Sequence, residues 1–522
     1  MLQRLSPLFF WGAVVFRLWY ALYFQVYGND TFVQQFAAQN FLDGKGITLS
    51  VVTAADPSSV VQQPLKDWPP ALTLFQALFL FLLRDWVLVS VLLTVAAVVS
   101  FFLLVRTTLR VLEVRAAWQA LAWLLLMSNH LFFHEFGVSD WLGLSAIAAA
   151  LLCCLYLLSH DRFPLTAAAG VTLLFILPAC FRYQYYPVVM LFPAWLMMVT
   201  WRSKPLLRPA TTLIFITTGF FLLLLAGGTA LYGSQTQLLP ARPVGFYPAN
   251  LLRLDPFLLK TVIRLDYLLY KFPFFTEQLT ATARALHMLL LGLLFFCGAA
   301  MVRRPHFFSE SFHARSFILF SAVFIGVTLF FLAVLSLRYA PQEPPFTRFT
   351  YIGEARYSAA TMYVLLLVLL LLAQQLERSA WVRFLVAGLL CFNLLLFARF
   401  LSNLRHLPAP LYQLDWAVQD RKAAHTAIEN YVRKKDQPIL LAWYPTSYII
   451  MGHYSHETFL LRNSESLFSG VNYAAPPHYL VYAVEKDLLE TSRTLWLREN
   501  NFHEVFNNGY YRIFVCDTAE RK

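Results

Sequence analysis

Apolar residues recur along most of this chain in runs of about 20, the length that crosses a membrane as a helix. The runs predict about eleven spans, at residues 6–26, 86–105, 116–133, 138–158, 165–181, 187–201, 210–231, 286–302, 316–337, 358–376 and 381–401. Arginine and lysine cluster in alternate connections, for example at Arg106, Arg110 and Arg115. Since cytoplasmic loops carry such clusters, the N-terminus is expected in the cytoplasm and the C-terminus outside.

The first polar segment between apolar runs, residues 27–70, is expected outside the membrane. After Asp30, apolar side chains recur at helical spacing and glutamines occupy the other face, which predicts an amphipathic helix lying on the membrane surface. The short apolar run at 71–83 is interpreted as a helix against the outer leaflet. Residues 233–285 and 338–357 are expected to form two further external loops.

From about residue 404 the composition becomes that of a small soluble domain. Strands are predicted at 438–443, 479–484 and 510–516, and helices at 423–435 and 486–499. This alternation predicts an extracytoplasmic α/β domain over residues 404–522, following a transmembrane domain over residues 1–403. We expect the tail domain to be structural or to select the acceptor.

Composition excludes a soluble enzyme. Hydrophobic residues make up 59% of the 522 positions and charged residues 13%, with a mean hydropathy of +0.57, so the chain is expected to be a multi-pass membrane protein. The net charge of +12 lies largely in the predicted cytoplasmic loops and gives no reason to expect a nucleic-acid partner. The cysteines follow neither a disulfide nor a metal-binding spacing.

Ionisable side chains near a membrane need a partner or a task, because they are costly there. The predicted outer face contains a carboxylate, Asp30, and three arginines, Arg182, Arg348 and Arg356. Transfer from a lipid-linked phosphate needs a base near the acceptor hydroxyl and cations near the departing phosphate. Asp30 fits the first need and the arginines fit the second.

Each candidate also has a structural interpretation. Asp30 and Asp140 could cap the helices that follow them, Arg182 could lie among lipid headgroups, and Glu354 could be a local ion partner. Arg17 is expected to pair with an acid such as Asp140. The set His130, His134 and Glu135 only loosely resembles a metal cluster, and surface contact is the favoured interpretation.

Several short motifs together resemble a known family. They are Asp30 after the first span, Pro69-Pro70 at the end of the first loop, Ser139-Asp140 and Arg356-Tyr357 opening later spans, and Arg182-Tyr183 at an outer helix end. The chain resembles the GT-C group of membrane glycosyltransferases, in particular the bacterial branch of protein O-mannosyltransferases and lipid A aminoarabinose transferases.

The resemblance implies a GT-C fold, a sugar donor on polyprenyl phosphate and a catalytic base at Asp30, with a supporting acid at Asp140. Roles in binding the substrate and its phosphate fall on basic residues and their neighbours near the outer face: Lys66, Arg182, Arg348, Glu354, Arg356 and Tyr357. Asn29 stands where many relatives carry a second acid, which weakens a metal-assisted mechanism. No metal ligand and no cofactor are assigned. A divalent metal is the one cofactor considered, and the sequence gives it little support.

The sequence thus predicts an inverting glycosyltransferase of the inner membrane that serves a lipid, glycan or protein hydroxyl, with membrane lipids around it. One alternative is a multi-pass lipid or polysaccharide transporter or flippase, for which broken helices and a polar path at mid-membrane would be expected. The other is a non-catalytic relative that binds a carrier lipid.

Overall fold

A computed structural model describes the chain over the following residues: 2–22, 29–52, 60–65, 68–128, 137–161, 163–232, 245–248, 250, 282, 285–290, 292, 296, 312–338, 355–377, 379–402, 423, 426–427, 430, 439–443, 458–461, 480–485, 503–508 and 511–516.

The described helices follow the apolar runs. They are α1 (Leu2–Tyr20), α2 (Asn29–Leu42), α3 (Pro70–Leu83), α4 (Trp86–Val111), α5 (Ala116–Ser128), α6 (Val138–Ser159), α7 (Ala168–Phe181), α8 (Tyr186–Val189), α9 (Leu191–Ser203), α10 (Arg208–Tyr232), α11 (Phe312–Arg338), α12 (Ala355–Gln375) and α13 (Ala380–Ser402). Six segments among the described residues are long and apolar enough to cross a membrane. The chain is therefore a multi-pass membrane protein; the count of eleven spans and the orientation of the termini stay predictions.

One predicted span is divided. Residues 187–201 form α8 and α9, which are separated at Met190. Proline lacks an N–H and its ring clashes with the carbonyl four residues earlier. Pro193 therefore disfavours a continuous helix through Val189, where α8 ends.

The described residues divide into two compact units. The first comprises Met1–Ala21, Val95–Ala226 and Arg242–Leu407, and the second comprises Leu22–Thr94, Gly227–Ala241 and Pro408–Lys522. In the first unit α1 packs against α5, α6 against α7, and α11 against α12. Phe101 and Tyr363 are both fully buried in this core, and their ring centroids lie 5.5 Å apart.

In the second unit, α2 is present but is not the surface helix that the pattern predicts. The side chains of Gln34 and Gln35, expected to face water, are fully buried, whereas Phe41 on the expected apolar face is 43% exposed. The polar face of α2 is covered by another helix and not by water, because Gln35 Nε2 donates to the hydroxyl of Ser90 on α4. Gln35 thus forms a contact between helices, as polar side chains often do in membrane proteins.

Helix α3 exposes an apolar face and buries a mixed one. Leu74, Leu78 and Phe81 are among its exposed side chains, while Thr73 and Gln76 are fully buried. Since an exposed apolar face suits lipid, α3 agrees with the interpretation of 71–83 as a helix against the membrane.

A seven-stranded mixed sheet completes the second unit, in the order β2-β1-β4-β3-β5-β7-β6. Its strands are β1 (Thr48–Val52), β2 (Val60–Pro64), β3 (Ile439–Trp443), β4 (Thr458–Leu461), β5 (Leu480–Glu485), β6 (His503–Asn507) and β7 (Tyr511–Cys516). The three strands predicted in the tail are confirmed as β3, β5 and β7.

The sheet also contains strands that the sequence analysis did not predict. The antiparallel pair β1 and β2 comes from residues 27–70, and β1 pairs in parallel with β4 of the tail through Val51 and Leu460. The turn before β1 is confirmed, with φ of 76° at both Gly44 and Gly46, a conformation that glycine adopts readily. The domain boundary between residues 403 and 404 stays a prediction. The sheet of the tail also includes β1 and β2, which come from residues 48–64.

Candidate functional site

The beginning of α6 places Asp140 in a buried position with two kinds of partner. Asp140 is the third residue of the helix, and its Oδ2 accepts a hydrogen bond from the backbone N–H of Gly137 at 2.9 Å. A carboxylate in the first turn satisfies an orphan donor and interacts favourably with the helix dipole. The structural interpretation of Asp140 as a helix-capping residue is therefore confirmed.

The other oxygen of Asp140 binds Arg182, which directly follows α7. Arg182 Nε donates to Asp140 Oδ1 at 2.7 Å, and the Nη2 group contacts the same oxygen. The side chains of Asp140 and Arg182 are 2% and 10% exposed. Paired charges buried in this way attract each other strongly, and removing one partner leaves the other uncompensated.

Two residues that the sequence analysis did not single out shape this corner. Tyr185 is buried against α6, and an added Cβ at Gly143 would lie 2.7 Å from Tyr185 Cε2 and 3.5 Å from Arg182 Cγ. Glycine therefore permits the close approach of the Arg182–Tyr185 turn to α6. Burial, together with the charge of Asp140, raises the pKa of Tyr185. We call Asp140, Gly143, Arg182 and Tyr185 the α6–α7 corner.

Arg17, expected as a partner for an acid such as Asp140, has a backbone contact. It is 1% exposed, and its Nε donates to the carbonyl of Leu126 at 2.7 Å. Leu126 belongs to the last turn of α5, where carbonyls lack partners within the helix. Arg17 thus links the last turns of α1 and α5.

The other predicted site residues are placed only in part. Asp30 is the second residue of α2, while Arg356 and Tyr357 lie in the first turn of α12; their side chains lie outside the described residues. Lys66, Arg348 and Glu354 lie outside the described residues altogether. Of the predicted set, the structure brings Asp140 and Arg182 together.

The described ranges contain no group of three or more His, Cys, Asp or Glu side chains able to hold an ion. His130, His134 and Glu135 lie outside those ranges. The weakly supported divalent metal therefore stays a prediction.

The α6–α7 corner can hold two helix ends in a fixed relation. Its opposite charges largely cancel at a distance, so the pair acts mainly on its immediate neighbours. Each partner is constrained by a second element, Asp140 by the first turn of α6 and Arg182 by the end of α7. Such an arrangement suits positioning better than proton transfer.

No protein-family profile matches the chain, and no curated protein matches it. Among solved structures, the chain is similar to ArnT from Cupriavidus metallidurans, whose crystal structure contains bound undecaprenyl phosphate. The identity is 12% and the TM-score 0.50, and the likeness covers 98% of this chain and 97% of that one. The chain therefore shares the fold of ArnT, in agreement with the GT-C fold expected from the sequence.

Proposed function

From its GT-C fold, we propose that this chain is a membrane glycosyltransferase that takes a sugar from polyprenyl phosphate. The observation that carries the proposal is the likeness to ArnT along nearly the whole chain, since that protein binds undecaprenyl phosphate. A multi-pass protein has direct access to a lipid-borne donor. The acceptor is a lipid, glycan or protein hydroxyl on the outer face of the inner membrane, with the N-terminus cytoplasmic and the tail domain outside.

Asp30 is the proposed general base. It lies in the first turn of α2. Asp30 takes the proton of the acceptor hydroxyl while the acceptor oxygen attacks the anomeric carbon. The bond from that carbon to the phosphate oxygen breaks, its electron pair leaves with polyprenyl phosphate, and the anomeric centre is inverted.

The departing phosphate carries the negative charge that cations must stabilise. We assign this task to Lys66, Arg348 and Arg356. Glu354 and Tyr357 orient Arg356. Arg182 supports the phosphate from a position fixed by Asp140. In this scheme Asp140 is the supporting acid, acting through Arg182.

The test is Asp30→Asn, assayed in membranes with a panel of undecaprenyl-phosphate-linked hexoses and pentoses. Loss of a positioned base lowers turnover by about 10² to 10⁴-fold. Asp43→Asn is the matched control, because Asp43 belongs to the same external segment and is exposed, where it accepts a hydrogen bond from Gln39 at 2.7 Å. We expect it to retain turnover.

The assay also separates the alternatives, because transfer releases undecaprenyl phosphate whereas a flippase moves the intact glycolipid. Unchanged release of undecaprenyl phosphate by Asp30→Asn would remove the base assignment. Movement of intact glycolipid without any release would favour the transporter, and binding with neither activity would favour a non-catalytic relative.

A further inference from the structure

Helices α2 and α3 pack against each other, and each buries neutral polar side chains that the proposed chemistry does not use. Thr31 and Gln35 stand four residues apart on α2, and Thr73 and Gln76 stand three apart on α3. Each pair therefore lies along one face of its helix. Gln76 Nε2 donates to the backbone carbonyl of Thr31 at 3.3 Å, which brings the two faces together. We call these four residues the α2–α3 polar cluster.

All four side chains are at most 1% exposed. Four oxygens in the cluster have no hydrogen-bond partner in the described part of the chain: Thr31 Oγ1, Gln35 Oε1, Thr73 Oγ1 and Gln76 Oε1. A buried polar atom left in this way costs about 1–3 kcal/mol. The four oxygens therefore need partners that the described residues do not supply.

The orientation of the two amides is fixed by their other contacts. Gln76 donates to the carbonyl of Thr31, and Gln35 donates to the carbonyl of Trp86 at 3.4 Å and to the Ser90 hydroxyl. A carbonyl can only accept, so the nitrogen of each amide must face it. The Oε1 atoms are therefore the amide atoms available to a ligand, and an amide oxygen can only accept a hydrogen bond.

A ligand that satisfies this cluster must bring donors. The two amide oxygens require O–H or N–H groups, and the two threonine hydroxyls can donate or accept. The cluster carries no formal charge, which disfavours a phosphate group as its ligand. Clustered hydroxyls that donate and accept without charge are the chemistry of a sugar.

Resting on the proposed function, we propose that the α2–α3 polar cluster is the subsite that binds the hydroxyl groups of the donor sugar. Thr31 directly follows Asp30 on α2, so a sugar held by the cluster lies within one helical turn of the residue assigned as base. The phosphate and prenyl parts of the donor bind elsewhere. The cluster thus confers specificity for the sugar and leaves affinity for the carrier lipid to other residues.

The test compares binding of two kinds of lipid to the full chain in nanodiscs, without turnover. One is undecaprenyl phosphate, and the other is the panel of undecaprenyl-phosphate-linked hexoses and pentoses. At least one linked sugar is expected to bind the wild type about tenfold tighter than the unglycosylated lipid, which corresponds to one or two hydrogen bonds. Thr73→Val and Gln76→Met should remove that gain and change affinity for undecaprenyl phosphate less than about twofold.

Two controls separate a lost contact from a disturbed fold. Thr73→Ser keeps the hydroxyl and should restore the gain. Thr328→Val removes a buried hydroxyl that donates to the Phe324 carbonyl at 2.9 Å on α11, and should leave the gain intact.

Equal losses for both lipids, or a gain that survives in Thr73→Val and Gln76→Met, would overturn the subsite. So would a wild type that binds no linked sugar better than undecaprenyl phosphate. Because binding is measured without turnover, a negative result would reject the subsite alone. The transferase proposal is tested separately by the turnover of Asp30→Asn.

Discussion

The α6–α7 corner and the α2–α3 polar cluster both bury polar side chains between neighbouring helices, yet they satisfy them differently. In the corner, the charges of Asp140 and Arg182 meet at 2.7 Å and Asp140 also accepts a backbone N–H. In the cluster, neutral amides and hydroxyls form some hydrogen bonds, and four oxygens have no partner among the described residues. A network whose members bind each other holds helices together, whereas one with spare acceptors can take up a ligand.

The largest effect is expected from opening the corner. Asp140→Ala and Arg182→Ala should each destabilise the protein by about 3–5 kcal/mol, because each leaves the opposite charge buried without its partner. Thermal unfolding in detergent measures the loss. The double variant should lose less than the sum of the two single variants; strictly additive losses would mean that the two residues stabilise the fold independently.

A smaller effect is expected at Gly143. Gly143→Ala places a Cβ 2.7 Å from Tyr185 Cε2, and such overpacking costs about 1–3 kcal/mol. Gly170→Ala on α7 is the matched control, since an added Cβ there meets nothing within 4 Å and alanine favours the helix by about 0.5–1 kcal/mol. Melting temperatures should therefore move in opposite directions, and a fall of equal size in both variants would contradict the packing assignment.

The sequence predicts the corner in part. The spans of α6 and α7 follow from their apolar runs, and Asp140 and Arg182 are both candidates. Their pairing was not predicted, although helices joined by a short connection pack antiparallel and so place the start of α6 near the end of α7. Gly143 alone does not reveal the corner, since an added Cβ at Gly170, which also lies inside a helix, meets nothing within 4 Å.

The cluster and the sheet show what the sequence could not supply. Helical periodicity divides α2 into two faces, but it does not tell whether water or another helix covers the polar one. Strands β1 and β2 carry a valine-rich signal that is visible in retrospect. The partner of β1 is β4 in the distant tail, and no local pattern identifies so remote a neighbour.

The cluster should respond to substitution with the opposite sign from the corner. Thr73→Val keeps the shape of the side chain and removes a buried hydroxyl that has no partner among the described residues, so stability should stay constant or rise by up to about 1 kcal/mol. Thr200→Val removes a buried hydroxyl paired with Thr211 at 2.9 Å and should lose about 1 kcal/mol. A clear loss in Thr73→Val, measured by thermal unfolding without lipid donor, would mean that the hydroxyl is already satisfied.

The smallest effect is expected where an ion pair is exposed. Arg115 contacts Glu377 with side-chain exposures of 61% and 31%, and Trp118 Nε1 donates to the other carboxylate oxygen at 3.1 Å. Water and salt screen such a pair, so Glu377→Gln should cost less than about 1 kcal/mol. The loss should shrink further in 1 M salt, where screening acts over about 3 Å, whereas the loss in Asp140→Ala should be nearly insensitive to salt. An equal salt response in both variants would mean that burial does not distinguish the corner from a surface ion pair.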